Sequence, residues 1–269
     1  MHSMKKEVLL IVLCILSSTL VTAHHTETTQ ENDYYQSTAL KLILYGTAVL
    51  LALTAIALLD KKASNITKHL LFWCIVIIII ITTLYSVTST IYINHRSATR
   101  GPVHWHTDFE VWICGEKINL EDPTGISNRI GTPTLHEHND NRIHIEGVLE
   151  HLEDGSLQNF FKVIGGEINH DSITLPTNEK IIKIINGETC EGQPATLQVY
   201  RYFITNPEEK PYIYQQEKLA TYEDYLPAPY SYVPPADCII ITYGPRQETT
   251  THICESYRVA ENNGDIYGS

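Results

Sequence analysis

The sequence predicts an α+β, β-dominated extracytoplasmic domain with one short helix, preceded by a transmembrane helical hairpin. Three observations carry this. Apolar runs occupy residues 39–59 and 70–93, a two-residue alternation sets in at Val103, and four of the six cysteines fall after residue 100.

The opening stretch, MHSMKKEVLLIVLCILSSTLVTAHH, places Lys5 and Lys6 before an apolar run from Val8 to Val21 and closes on small residues at Ala23. That is the layout of a secretory signal, residues 1–23, too short to span comfortably. Leu13 before Cys14 excludes a lipobox. Residues 24–38 then form a short outer segment. Helix 39–59 is interrupted only by Lys41, Tyr45, Gly46 and threonines, and 70–93 contains FWCIVIIIIITTLYSV. Ten successive apolar residues leave no polar face for water, which argues against two helices of a soluble protein. The 60–69 loop carries Lys61, Lys62 and Lys68, and positive residues stay in the cytoplasm. The expected location is the cell membrane, multi-pass, with residues 94–269 outside and the lipid bilayer as a partner. The Asn65 sequon then faces inward and goes unused.

The outer part holds thirteen Lys+Arg against twenty-six Asp+Glu. A surface so negative argues against nucleic acid and anionic lipid and mildly favours cations. Cys114, Cys190, Cys238 and Cys254, an even set in an exported domain, suggest two disulfides. Of three possible pairings we expect Cys114 with Cys190, joining two similar hairpins, and Cys238 with Cys254, closing a short loop. Cys14 and Cys74 lie in the signal and the membrane.

From Val103 the chain alternates. Val103, Trp105, Thr107, Phe109, Val111 and Ile113 fall on one side; His104, His106, Asp108, Glu110 and Trp112 fall on the other. This predicts a strand, turned at Cys114-Gly115 and resumed at KINL. A Gly/Pro/Asn-rich loop, 122–134, leads to a strand around 135–146. SLQNFFKVIGG reads as the short helix, with Ser156 as N-cap and Gly165 or Gly166 as its stop. Strands follow at SITL, KIIKIINGETC and ATLQVYRYFI, with Asn186-Gly187 as a hairpin turn. Residues 207–236, rich in Tyr and Pro, read as an extended wrapping segment, and CIIITYGP as the last strand.

Five of the thirteen histidines occupy two short stretches, HWHTDF and TLHEHNDNRIHIEG. Residues two apart on a strand share a face, so His104, His106 and Asp108 point together, with Glu110 beyond. His136, His138, Asp140, Arg142, His144 and Glu146 are all even-numbered. A turn at NDN, 139–141, would return His144 toward the others while Ile143 and Ile145 enter the core. Imidazole suits Zn(II) and Cu(II), and a nearby carboxylate supplies charge or orients a ring nitrogen. One HxH alone would read as a solvated polar face; two plus His144 point to a transition-metal ion, Zn or Cu. The expected ligands are His104, His106, His136, His138 and His144. Asp108, Asp140 and Glu146 are candidates for a further ligand or an orienting partner.

Several known arrangements do not fit. Phe109 stands where the final His of the HxHxDH hydrolases belongs. Arg142 occupies the window where a cupin needs Glu. Both methionines, Met1 and Met4, leave with the signal, which excludes thioether copper sites. No serine or cysteine nucleophile signature is present.

From His104 to Phe161 the chain resembles a group of membrane-anchored or exported archaeal and bacterial proteins. Their shared core runs HxHx[HD], HxH[N]D, IHIE, LxxFF; here those elements are HWHTD, HEHND, IHIE and LQNFF. The resemblance implies an extracytoplasmic His-rich domain with a metal site and attaches no reaction to it. Asp108 stands where some relatives have a third His.

Three functions remain open to the sequence. One is a membrane-anchored metal-binding protein. Another is a metal-dependent enzyme, hydrolase or oxidoreductase, with Glu110 or Glu146 as general base. The last is a structural surface subunit without metal.

Overall fold

The computed structural model describes residues 30–60, 62–227 and 236–269. The expected signal peptide lies outside these residues, as do Lys61 and the 228–235 part of the Tyr/Pro-rich stretch. The chain forms two compact units, divided between Arg96 and Ser97.

The first unit contains helices α1 (Gln30–Leu59) and α2 (Asn65–Arg96). Both are long and apolar enough to cross a membrane. Large apolar side chains such as Leu58, Ile66, Phe72, Trp73 and Leu84 stand exposed along them. The hydroxyls in the TTLYSVTST stretch do not contradict an apolar environment. Thr82 donates to the Ile78 carbonyl, Ser86 to Thr82, Thr88 to Leu84 and Thr90 to Ser86, so each finds a partner on its own helix.

The second unit is built on a nine-stranded mixed sheet. Strand β1 (Val103–Ile113) spans the predicted residues. It turns at Cys114 and Gly115, φ 50° and 83°, into β2 (Glu116–Ile118), the tight hairpin that two left-handed residues permit. Next come β3 (Ile130–Gly131), β4 (Leu135–Glu137) and β5 (Arg142–Gly147). The NDN triplet is a turn, with Asn139 and Asn141 both at positive φ, so the single strand expected over 135–146 is two antiparallel strands. A 3-10 turn (Leu152–Gly155) precedes α3 (Leu157–Val163), where the Ser156 hydroxyl accepts from the Asn159 N–H at 3.2 Å as the cap.

Strands β6 (Glu167–Asn169), β7 (Ser172–Pro176) and β8 (Ile181–Ile185) form a separate three-stranded sheet. Asn186-Gly187 does turn the chain, but β8 pairs with β7. The strands beyond the turn, β9 (Thr189–Cys190) and β10 (Gln193–Pro194), pair with each other. Strands β11 (Thr196–Ile204), β12 (Tyr212–Leu219), β13 (Cys238–Gly244) and β14 (Ile266–Gly268) complete the large sheet, in the order β14-β12-β11-β13-β1-β5-β4-β3 with β2 beside β1. To the one helix expected, the structure adds α4 (Glu255–Asn262). The wrapping segment expected at 207–236 contains β12, an inner strand between β11 and β14.

The odd-numbered face of β1 carries Phe109 and Val111 into the main core. They join Ile143 and Ile145 of β5, Val199 of β11, Ile239 and Ile241 of β13, the phenylalanines 160 and 161 of α3, and Ile168, Ile173 and Leu175. Burying each such side chain contributes about 1.5–3 kcal/mol, so this face sets the register of every strand it includes. A smaller cluster on the opposite face joins Tyr200, Tyr202, Ile240, Tyr257 and Ile266. Disulfides link Cys114 to Cys190 and Cys238 to Cys254, the pairing expected, at S–S distances of 1.98 and 2.12 Å.

Candidate metal centre

Strand β1 is the pivot of the site. Its residues 103–108 pair with β5, and the register sets His104 opposite Glu146, His106 opposite His144, and Asp108 opposite Arg142. On the far edge of β5, His144 stands opposite His136 of β4. A row of three histidines, 106, 144 and 136, therefore crosses three strands on one face. Directly opposed side chains in antiparallel strands lie about 4.5–5.5 Å apart, within mutual reach. The rings of His106 and His144 have centroids 4.6 Å apart, and those of His136 and His144 stack at 5.3 Å.

Around this row the ligand atoms gather into two groups. Nitrogens of His136, His138 and His144 lie within 4.8 Å of one another, and so do the donor atoms of His104, His106 and Glu146. In the second group Nε2 of His104 is 2.8 Å from Nε2 of His106 and 3.4 Å from a Glu146 carboxylate oxygen. Metal–nitrogen bonds of about 2.0–2.1 Å put neighbouring ligands on one ion about 3.3 Å apart, so these spacings suit a shared cation.

Second partners set the tautomers. Nδ1 of His138 meets the Asn128 carbonyl, which can only accept. Nδ1 therefore carries the proton, and Nε2 turns a lone pair toward the group. Nε2 of His144 donates to Asp140 at 3.0 Å, leaving Nδ1 as the free lone pair. His136 is 1% exposed, and its Nδ1 has no hydrogen-bond partner among the described residues. An orphaned buried polar atom costs about 1–3 kcal/mol, a cost that a bound cation would remove. The residues present thus fit a transition metal.

Electrostatics keep two of these rings neutral. Burial pushes the His136 pKa down to about 4, reinforced by His144 and His138. Burial, then His144 and His104, lowers that of His106. Neutral imidazoles are the metal-binding form.

The remaining candidates have other partners. Asp108 belongs to neither group; its carboxylate accepts from Nε of Arg142 at 2.5 Å. Asp140 touches the site through His144 alone among the contacts described. Glu110, expected as a possible base, is 2% exposed and far along β1. It is bound by Lys117 at 2.7 Å and by the Trp112 indole N–H at 3.1 Å, so it is a held structural charge. Glu146 does reach the site. The sequence did not reveal Asn128, because it acts through its backbone, in a loop read as a connection. Gly131 was also missed. It sits at φ 112°, and a Cβ there would meet the Leu135 carbonyl oxygen at 2.5 Å and the His136 Cα at 3.1 Å. Only glycine lets β3 close against the strand bearing His136.

Compared with family models, curated proteins and solved structures, the chain matches none. The site must therefore be read from its own chemistry.

Proposed function

We propose that this protein is a membrane-anchored, extracytoplasmic transition-metal-binding protein. The observation that carries the reading is the buried His136 with an unpartnered Nδ1, beside His138 and His144, whose other ring nitrogens are oriented by the Asn128 carbonyl and Asp140. A solvated polar face has no reason to bury one imidazole without a partner and tune two others. All-imidazole and carboxylate donors, without thiolate or thioether, favour Zn(II) or Cu(II). Kinship with the exported archaeal and bacterial His-rich proteins belongs to the same proposal.

The membrane part of the reading rests on helices α1 and α2 and on the Lys61, Lys62 and Lys68 loop. The signal is cleaved near Ala23, the loop faces the cytoplasm, and residues 94–269 lie outside. Protease added to intact cells should digest the outer domain and spare a tag placed in the loop; the reverse pattern would invert the topology.

Elemental analysis of the full chain in detergent, purified without a histidine tag, tests the metal directly. Bound Zn or Cu at neutral pH that is released in acid is the expected result, because protons compete for the imidazoles. Protein that carries neither metal, and takes up neither on titration, ends the reading.

A further inference from the structure

We propose that the histidine strip is a two-ion centre, with one ion held by His136, His138 and His144 and a second by His104, His106 and Glu146. This rests on the metal-binding reading above and goes beyond it in stoichiometry and arrangement.

The sheet imposes the division. The first triad straddles β4 and β5, and the second straddles β5 and β1. Neighbouring strands are about 4.8 Å apart, so β4 and β1, on either side of β5, have backbones about 10 Å apart. Ligands of a single ion with bonds of about 2.1 Å can be no more than about 4.2 Å from one another. His104 stands opposite Glu146 near one end of β5, while His138 lies past the end of β4, beside the NDN turn. These two histidines serve opposite corners of the patch, and the donor atoms fall into two groups of three.

Each group offers three donors. At the second, His104 and His106 stand at i and i+2 on one strand, already 2.8 Å apart at Nε2, and Glu146 arrives from the neighbouring strand with negative charge. At the first, all three donors are imidazoles, and the charge is supplied one bond further out by Asp140 on His144. Two cations side by side repel, and each triad brings one carboxylate to offset that repulsion. His144 and His106, opposite each other in register, form the shared wall. The two centres lie about one strand spacing apart, on the order of 5–8 Å.

The test uses the full chain in detergent, without a histidine tag, loaded with Cu(II) at neutral pH. Two equivalents should bind, and the electron paramagnetic resonance spectrum should show dipolar broadening and a half-field transition, the signature of two spins within that distance. Glu146→Gln and His138→Ala should each reduce the stoichiometry to one and abolish the half-field signal, by emptying different triads. The wild-type spectrum decides the matter even if a variant fails to fold. Two equivalents without coupling, or one equivalent in the wild type, overturns the two-ion centre and leaves metal binding standing. No bound copper and no bound zinc would overturn both readings.

Discussion

One face of the large sheet is treated in two different ways across its width. Over β13, β11, β12 and β14 it is sealed: Tyr200, Tyr202, Ile240 and Ile266 pack beneath Tyr257 of α4, and the Cys238–Cys254 bridge fastens the covering segment. Over β1, β5 and β4 the same face carries His104, His106, His144, His136, Glu146 and the Arg142–Asp108 pair. The boundary runs along β1 at Trp112, on which His252 from the covering segment stacks at 3.8 Å. Where the side chains are apolar or aromatic, the chain covers them. Where they are imidazoles, exposure varies along the row: His136 and His144 are buried, while His104 is exposed. Stability belongs to one half and ligand chemistry to the other, within a single hydrogen-bonded sheet.

The largest effect expected from breaking this division is in the sealed half. Tyr257 is fully buried, and its hydroxyl donates to the Tyr202 carbonyl at 3.1 Å. Tyr257→Ala should cost about 3–5 kcal/mol in denaturant unfolding. Metal affinity, measured on the fraction that remains folded, should not change. A large affinity loss with little loss of stability would show that the two halves are not separable in this way.

The pH response is the next effect and belongs to the open half. In metal-free protein His136 titrates at about 4 and His106 below its ordinary 6.5, while the unfolded chain titrates near 6.5. Above 6.5 both states are neutral and the full stability is present. As pH falls from 6.5 toward 4, the unfolded chain takes up protons first and stability declines. The loss from His136 is on the order of 3 kcal/mol. His136→Gln should flatten this decline in thermal melts; an unchanged pH profile would mean that the buried imidazole is not its source.

The smallest effect sharpens the comparison from outside the ligand set. Asp140 is exposed and touches only the His144 ring among the contacts described. Asp140→Asn should leave the melting temperature in place and weaken metal binding by about 10–100-fold, the range for a partner that orients a ligand. Equal affinity in titration calorimetry would remove Asp140 from the site.

Much of this division was legible in the sequence because alternation is local. A strand sends successive side chains to opposite faces, so HWHTDFEVW separated His104 and His106 from Phe109 and Val111 before any partner strand was known. The cap at Ser156, the turn at Cys114-Gly115 and the NDN turn were equally local. The strand β12 was missed because it alternates no apolar face: Tyr212, Tyr214, Gln216 and Lys218 oppose Ile213, Gln215, Glu217 and Leu219, with Pro211 beside its start. Helix α4 is eight residues long and begins at a half-cystine instead of a capping side chain, so no start signal announced it.

By itself, then, the sequence determined which residues share a face, which side of each strand is core, and that five imidazoles and their carboxylates have no place in that core. Tertiary structure alone decided the rest. It placed β1 between β5 and β13, folded β4 back so that His136 faces His144, and divided the donors into two groups. The physical reason is that side-chain alternation is set within a strand by backbone geometry. Register and strand order come from the fit of distant apolar faces against one core, and no short stretch of sequence contains that fit.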